Sequence, residues 1–151
     1  KVLSELLEDR EMSSLLVNDL CGVGSSLEVA DDILAGETLS NDLVVTKYVK
    51  AGEICGKVLS ELLDRCVVGG SLLSLCEYGE GRILELSAGV LRKQKMSRGL
   101  AMPVCLSVNN RLAYYTPCVG DASVLENGDV VKVELGCHLD GYAALACATK
   151  V

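Results

Sequence analysis

Gly128-Asp-Val-Val-Lys-Val-Glu-Leu-Gly-Cys-His-Leu-Asp-Gly-Tyr-Ala-Ala-Leu145 decides the fold. From Val130 to Cys137 the residues alternate, with Val131, Val133, Leu135 and Cys137 on one face and Lys132, Glu134 and Gly136 on the other. A period of two is that of a half-buried β-strand. Asp140-Gly141 supplies the turn, because Asp and Gly accept the positive φ angles that a tight hairpin requires. The turn fixes the register: Leu139 should face Tyr142, and Glu134 should lie opposite Cys147. Leu145 then becomes the diagonal neighbour of Glu134 on the same face.

Working back along the chain, Asn127-Gly128-Asp129 turns into this hairpin. Leu100 to Val108 reads as a strand interrupted by Pro103, hence an edge or bulged strand. Asn109-Asn110 is a turn, and Tyr114-Tyr115-Thr116-Pro117 is expected to end a second strand. Before the sheet come two helices. Val44, Tyr48, Ala51, Cys55, Val58, Leu62 and Cys66 recur at three- and four-residue steps, which predicts an amphipathic helix from about Asn41 to Cys66. Ser40 or Asn41 can cap its start and Gly69-Gly70 follow its end. Ser71 caps a second helix reaching roughly Ser87, with Leu72, Leu75, Cys76, Ile83 and Leu86 inward and Gly79 and Gly81 weakening its middle.

The hairpin resembles a strand of the methionine aminopeptidases, Lys-Ile-Asp-x-Gly-x-His-x-x-Gly, in which a second Asp follows the first and the two carboxylates bind a pair of divalent ions. Glu134 and Leu145 stand at those two positions. Gly99-Leu-Ala-Met-Pro-Val-Cys-Leu-Ser-Val-Asn-Asn-Arg-Leu-Ala-Tyr-Tyr-Thr-Pro117 is similar to the type-2 segment Ala-Phe-Pro-x-x-x-Ser-x-Asn-Asn-x-x-x-His-Tyr-Thr-Pro, with Tyr114 where that family has a substrate-pocket His. Asn41-Asp-Leu-Val-Val-Thr-Lys-Tyr-Val-Lys-Ala-Gly-Glu-Ile-Cys-Gly-Lys-Val-Leu59 and Leu72-Leu-Ser-Leu-Cys-Glu-Tyr-Gly-Glu80 narrow the likeness to the proliferation-associated, or ErbB-binding, proteins, catalytically dead relatives of type-2 methionine aminopeptidase. The resemblance implies an α+β, pita-bread (creatinase/aminopeptidase-like) half-unit over residues 41–151, two helices packed on a curved antiparallel sheet. It covers only the first half of that family's chain.

Residues 1–40 form an N-terminal extension whose role the sequence does not give. Lys1-Val-Leu-Ser-Glu-Leu-Leu7 repeats Lys57–Leu63 letter for letter, and Asp9-Arg10 echoes Asp64-Arg65. Two copies do not make a solenoid. A partial duplication, a splicing peculiarity and a coincidence between Leu-rich helices all fit. Gly22-Val-Gly-Ser-Ser and Ala35-Gly-Glu suggest two short helices with flexible joints. Lys1 in place of Met points to a processed or truncated product.

Half of the 151 residues are hydrophobic, with no Phe and no Trp, so Leu, Val, Ile, Ala and Cys must fill the core through many small contacts. Fourteen basic and 21 acidic side chains leave a net charge of −7, a field that opposes bulk nucleic-acid binding and confines any RNA contact to a local patch. The eight Cys form no Cys-x-x-Cys pair and thus no ordinary zinc spacing. Without a secretory h-region or a bilayer-length apolar run, the expectation is reduced thiols and a cytoplasmic or nuclear location, with a disulfide framework the lesser alternative; the resemblance implies a nucleolar location as well. Gly69-Gly70-Ser71 follows a helix and lacks a P-loop Lys, so nucleotide binding is not supported.

A two-metal peptidase needs several carboxylates and a His converging on its ions. Glu134 is one carboxylate, while Leu145 has no lone pair, so the expectation is no metal, no cofactor and no catalytic residue. Glu134 is read as a solvated or salt-bridged strand residue beside Lys132. His138, the sole His, is read as a structural group, and Tyr114 as a packed aromatic or a remnant of the pocket. Arg92, Lys93, Lys95 and Arg98, with Lys47 and Lys50, are the candidate RNA or ribosome surface, against a reading as a solvated connector. The resemblance implies a non-catalytic scaffold binding RNA, ribosomes or regulatory proteins. The alternatives are a divergent type-2 methionine aminopeptidase and a truncated fragment without activity. Self-association through an unpaired sheet edge is expected.

Overall fold

The computed structural model describes residues 38–151. The copy of the repeat at Lys1–Leu7, Cys21 and the short helices expected before residue 38 lie outside the described residues. Two helices are followed by three strands: α1 (Asp42–Arg65), α2 (Leu72–Gly89), β1 (Arg98–Val108), β2 (Val131–Leu139) and β3 (Tyr142–Lys150). The strands form one antiparallel sheet in the order β1-β2-β3. This is the α+β arrangement of two helices on an antiparallel sheet that the resemblance implied, built from the helices and hairpin that the periodicity predicted.

Helix α1 begins where Asn41, rather than Ser40, turns its side chain back to accept from the Leu43 amide at 3.0 Å. Ser71 does the same for α2, accepting from Ser74. Each cap satisfies an amide that the first turn of a helix leaves unpaired. The inward stripe of α1 is Val44, Ala51, Ile54, Cys55, Val58 and Leu62. Tyr48, expected in that stripe, is instead 41% exposed and sets its ring edge-on to Tyr142, 5.3 Å between centroids. It lies at the end of the helix beside the hairpin turn, where its hydroxyl can stay near water.

Both helices cover the sheet face of Val104, Leu106, Val131, Val133, Leu135 and Cys137, and these residues form one core with them. Gly79 does not merely weaken α2. A Cβ there would come within 2.9 Å of Leu62 Cδ1 and 3.0 Å of Val104 Cγ2, so the glycine is where α2 presses against both α1 and β1. Across the helix pair, Glu61 accepts from Arg82 Nε at 2.9 Å and Nη2 at 3.0 Å and from the Tyr78 hydroxyl at 2.7 Å.

The register of β2 and β3 is as the turn dictated, with Leu139 opposite Tyr142 and Glu134 opposite Cys147. Strand β1 is an edge strand with irregular pairing between Leu100 and Cys105, where Pro103 cannot donate to a ladder. The second strand expected to end at Tyr114–Pro117 does not form. That segment runs beside β1 through single bonds, Leu106 N to Tyr115 O at 2.8 Å and Tyr115 N to Ser107 Oγ at 3.2 Å. Tyr114, at φ 57°, breaks the extended path and Pro117 has no amide to give. The Tyr115 hydroxyl donates to Asp121, whose other oxygen accepts from Ser123 N at 2.8 Å. The Ser123 side chain first, then the Tyr115 hydroxyl and the Ser123 amide, hold the Asp121 carboxyl down to about 2.

Candidate functional site

The sheet face turned away from the helices carries Glu134. Its cross-strand neighbours are Cys105 on β1 and Cys147 on β3. On the β1 side the segment with Tyr115 and Thr116 covers the sheet, Thr116 Oγ1 meeting Val104 O at 3.2 Å and Cys105 Sγ at 3.3 Å, so Cys105 and Ser107 are buried. On the β3 side the face is open, and Leu145 is 68% exposed. Between them a hollow of about 210 Å³ is lined by Leu112, Lys132, Glu134, Cys147 and Thr149, among others.

Within the hollow the partners differ from those expected. Glu134 Oε2 accepts from the backbone amide of Tyr114 at 2.9 Å. Lys132 donates instead to the Asn109 carbonyl at 2.8 Å. Lys132 and Glu134, two apart on the strand, share one face, yet the Asn109 carbonyl at the turn takes the Lys132 ammonium. Tyr114 is not a packed aromatic. Its side chain is 74% exposed, and its backbone rather than its ring serves the site. Leu145 lies across Gly136, to which a Cβ would bring its Cδ2 within 2.5 Å. Glu134 and Leu145 thus share one face, and the pair offers a single oxygen-donating side chain. Among the described residues no three His, Cys, Asp or Glu side chains converge in a way that could hold a metal ion.

His138 serves the hairpin turn, its Nδ1 accepting from the Gly141 amide at 3.3 Å. The seven cysteines among the described residues are all free thiols. Burial pushes the Cys76 thiol up to about 12, with Glu80 adding to it, and Cys137 up to about 11. A buried thiol held protonated is a packing group rather than a nucleophile.

The six candidate cations divide into two groups. Lys47 is bound to Asp140 at 2.6 Å and lies over the Tyr142 ring, 5.0 Å from its centroid. Lys50 pairs with Glu53 at 2.7 Å, one turn along α1. Arg98 is not in the loop at all but opens β1, and its guanidinium donates to the carbonyls of Val90 at 2.7 Å and Gln94 at 2.9 Å. An arginine so used fixes the loop's shape and has little left to offer a ligand. Arg92, Lys93 and Lys95 remain exposed in the connector between α2 and β1. That connector meets the hairpin turn where Asp140 N donates to Ser97 O at 2.6 Å. Sequence reasoning could not separate the two groups, since nothing local to Arg98 or Lys47 marks its distant partner. Among the described residues no helix is long and apolar enough to cross a membrane.

Comparison with known proteins agrees with this geometry. The profile of metallopeptidase family M24 matches residues 46–151. ErbB-3 binding protein 1 of Arabidopsis thaliana is 42% identical over 116 residues, 76% of this chain and 30% of that protein. The methionine aminopeptidase of Pyrococcus abyssi is 42% identical over 105 residues, 70% of this chain and 32% of that protein. Among solved structures, a thermophilic Arx1 superposes with a TM-score of 0.66 at 34% identity, covering 70% of this chain and 29% of that one. The chain therefore spans about 30% of the length of the curated relatives it matches, less than the half that the motifs suggested. With the profile covering residues 46–151, and with two helices on an antiparallel sheet as in the pita-bread proteins, the chain belongs to metallopeptidase family M24.

Proposed function

We propose that this chain is a non-catalytic scaffold or adaptor of the ErbB-3-binding type rather than a peptidase. One observation carries the reading: on the hairpin that presents paired carboxylates in the resembling enzymes, the diagonal partner of Glu134 is Leu145, and the Glu134 carboxylate already accepts the Tyr114 amide. A single carboxylate with one oxygen engaged does not hold two bridged cations, and without them no water is activated and no scissile carbonyl polarised. The test is elemental analysis after dialysis against Mn, Co, Zn and Fe, with an assay for release of methionine from a peptide. Substoichiometric metal and no release are expected. About two metals per chain with turnover would establish the second reading, a divergent methionine aminopeptidase, which the likeness to the Pyrococcus enzyme favours.

The surface proposed to bind is the connector of Arg92, Lys93 and Lys95, exposed and held in shape by Arg98. Three cations on a chain of net charge −7 give a local contact with RNA or ribosomal RNA that salt would weaken. Such a role fits residence in cytoplasm and nucleus or nucleolus. Reversing Lys93 and Lys95 to Glu should reduce co-sedimentation with ribosomes or RNA, and unchanged binding removes the connector from consideration.

A further inference from the structure

We infer that Ser97 is a phosphate-acceptor site for a protein kinase that reads basic sequence, and that its modification weakens the connector's attraction for polyanions. The second half of this rests on the reading of the connector as an RNA-binding surface, and the first does not.

Three features select Ser97. Its side chain is exposed, in the irregular stretch 95–97 between the turn after α2 and the start of β1. A kinase must draw its substrate out as an extended strand. Here the stretch up to Ser97 lies outside any helix or strand, so drawing it out releases only the Asp140 N bond to the Ser97 carbonyl and the first pair of β1, Arg98 with Leu139, whereas Ser60 and Ser74, also exposed, sit inside α1 and α2. Cations flank it: Arg92, Lys93 and Lys95 precede it and Arg98 follows. Arg98 is committed to the Val90 and Gln94 carbonyls, so the three upstream cations are the ones an acidic substrate groove would meet. Thr38 and Ser40 provide the contrast, being exposed and outside any helix or strand, but followed by Asp42 with no basic residue nearby before Lys47.

The surroundings also tolerate the added charge. The Ser97 backbone is pinned by the bond from Asp140 N to its carbonyl, and the nearby Asp140 carboxylate is already paired with Lys47. The added charge would therefore meet an Asp140 carboxylate already neutralised by Lys47, with three cations within five residues upstream. In the transfer, Ser97 Oγ attacks the γ-phosphorus of ATP. The Oγ–P bond forms as the bond from that phosphorus to the β–γ bridging oxygen breaks. ADP leaves, and the hydroxyl proton passes to the kinase's carboxylate base. A phosphoserine brings about −1.5 to −2 charges at neutral pH, which offsets most of the charge of three cations.

The full chain, its Ser97→Ala variant and its Ser40→Ala variant would be incubated with ATP and the catalytic subunit of a basic-directed Ser/Thr kinase. The modified residue would be located by peptide mass spectrometry. One phosphate on Ser97, lost in S97A and kept in S40A, is the expected result; phosphate elsewhere, or equal incorporation in S97A, overturns the site. The phosphorylated and unmodified chains are then titrated with a single-stranded RNA at several salt concentrations. Loss of two effective cations should reduce the slope of log K against log salt by about 1.4. If phosphorylation leaves RNA binding unchanged while reversal of Lys93 and Lys95 weakens it, the switch is wrong and the connector stands. If neither matters, the RNA reading fails along with the switch, and the acceptor site is still judged by incorporation alone.

Discussion

Gly79 and Gly81 sit two positions apart in α2, and their surroundings are opposite. A Cβ at 79 meets Leu62 and Val104 within about 3 Å, whereas at 81 nothing lies within 4 Å. Gly81→Ala should therefore stabilise the fold by up to about 1 kcal/mol, the helix-propensity difference. Gly79→Ala should destabilise it by about 1 to 3 kcal/mol, because overpacking against two core side chains outweighs that gain. Denaturant titration of the pair checks both signs at once. From sequence the two glycines look alike; the difference belongs to residues far along the chain. The same holds for Glu61, which Arg82 and then Tyr78 hold down to about 2 from an ordinary value of 4.5. A carboxyl whose folded value is depressed adds stability above its unfolded value and loses it as the pH falls toward the folded one. Acidification from about 4.5 to about 2 should thus lower the thermal midpoint, and Glu61→Gln should flatten that part of the profile while lowering the midpoint at neutral pH. An E61Q profile as steep as the parent's would assign the acid sensitivity to Asp121 or Asp129 instead.

Elements were legible wherever their signal is local. Alternation and an Asp-Gly turn gave the β2–β3 hairpin with its register, because a slip by one residue would turn Val131, Val133, Leu135 and Cys137 to the open face. Three- and four-residue spacing gave α1 to within a residue at each end. The turns at Asn109-Asn110 and Asn127-Gly128 were legible, but the path between them was not, since it is set by bonds to distant groups: Asn109 to Asp129, Tyr115 to Ser107 and to Asp121. The connector between α2 and β1 is a mixed case, its charge being visible and its fastening by Arg98 not. Arg98→Ala removes two bonds from a charged donor and should cost about 1 to 3 kcal/mol. Its sharper signature is local: trypsin should cut after Arg92, Lys93 and Lys95 faster than in the parent, under conditions where the helices and sheet remain folded by circular dichroism. Unchanged cleavage there would show that the loop holds its shape without Arg98.

At the scale of the whole molecule the two faces of the sheet are unequal. One is sealed by α1 and α2. Among the described residues the other is covered only beside β1, leaving Ala143, Leu145, Cys147 and Thr149 of β3 exposed, with Leu112 and Tyr114 nearby in the connecting segment. Strand β3 also ends the sheet, so part of its backbone has no ladder partner among the described residues. An open apolar face next to an unpaired edge favours association between copies. The net charge of −7 opposes it, and the two differ in range: contact burial acts only on touching, while repulsion between exposed charges is screened beyond about 8 Å at physiological salt. Raising the salt should therefore promote self-association, the reverse of its effect on the contact proposed for Arg92, Lys93 and Lys95. Leu145→Gln removes the largest exposed aliphatic group of β3 at constant charge. At a 68% exposed position it should change stability by no more than about 0.5 kcal/mol. Light scattering across a concentration series should find the parent growing in mass with concentration and with salt, and L145Q shifted toward the monomer. A parent that stays monomeric at every concentration and salt would mean that the open face of β3 drives no association.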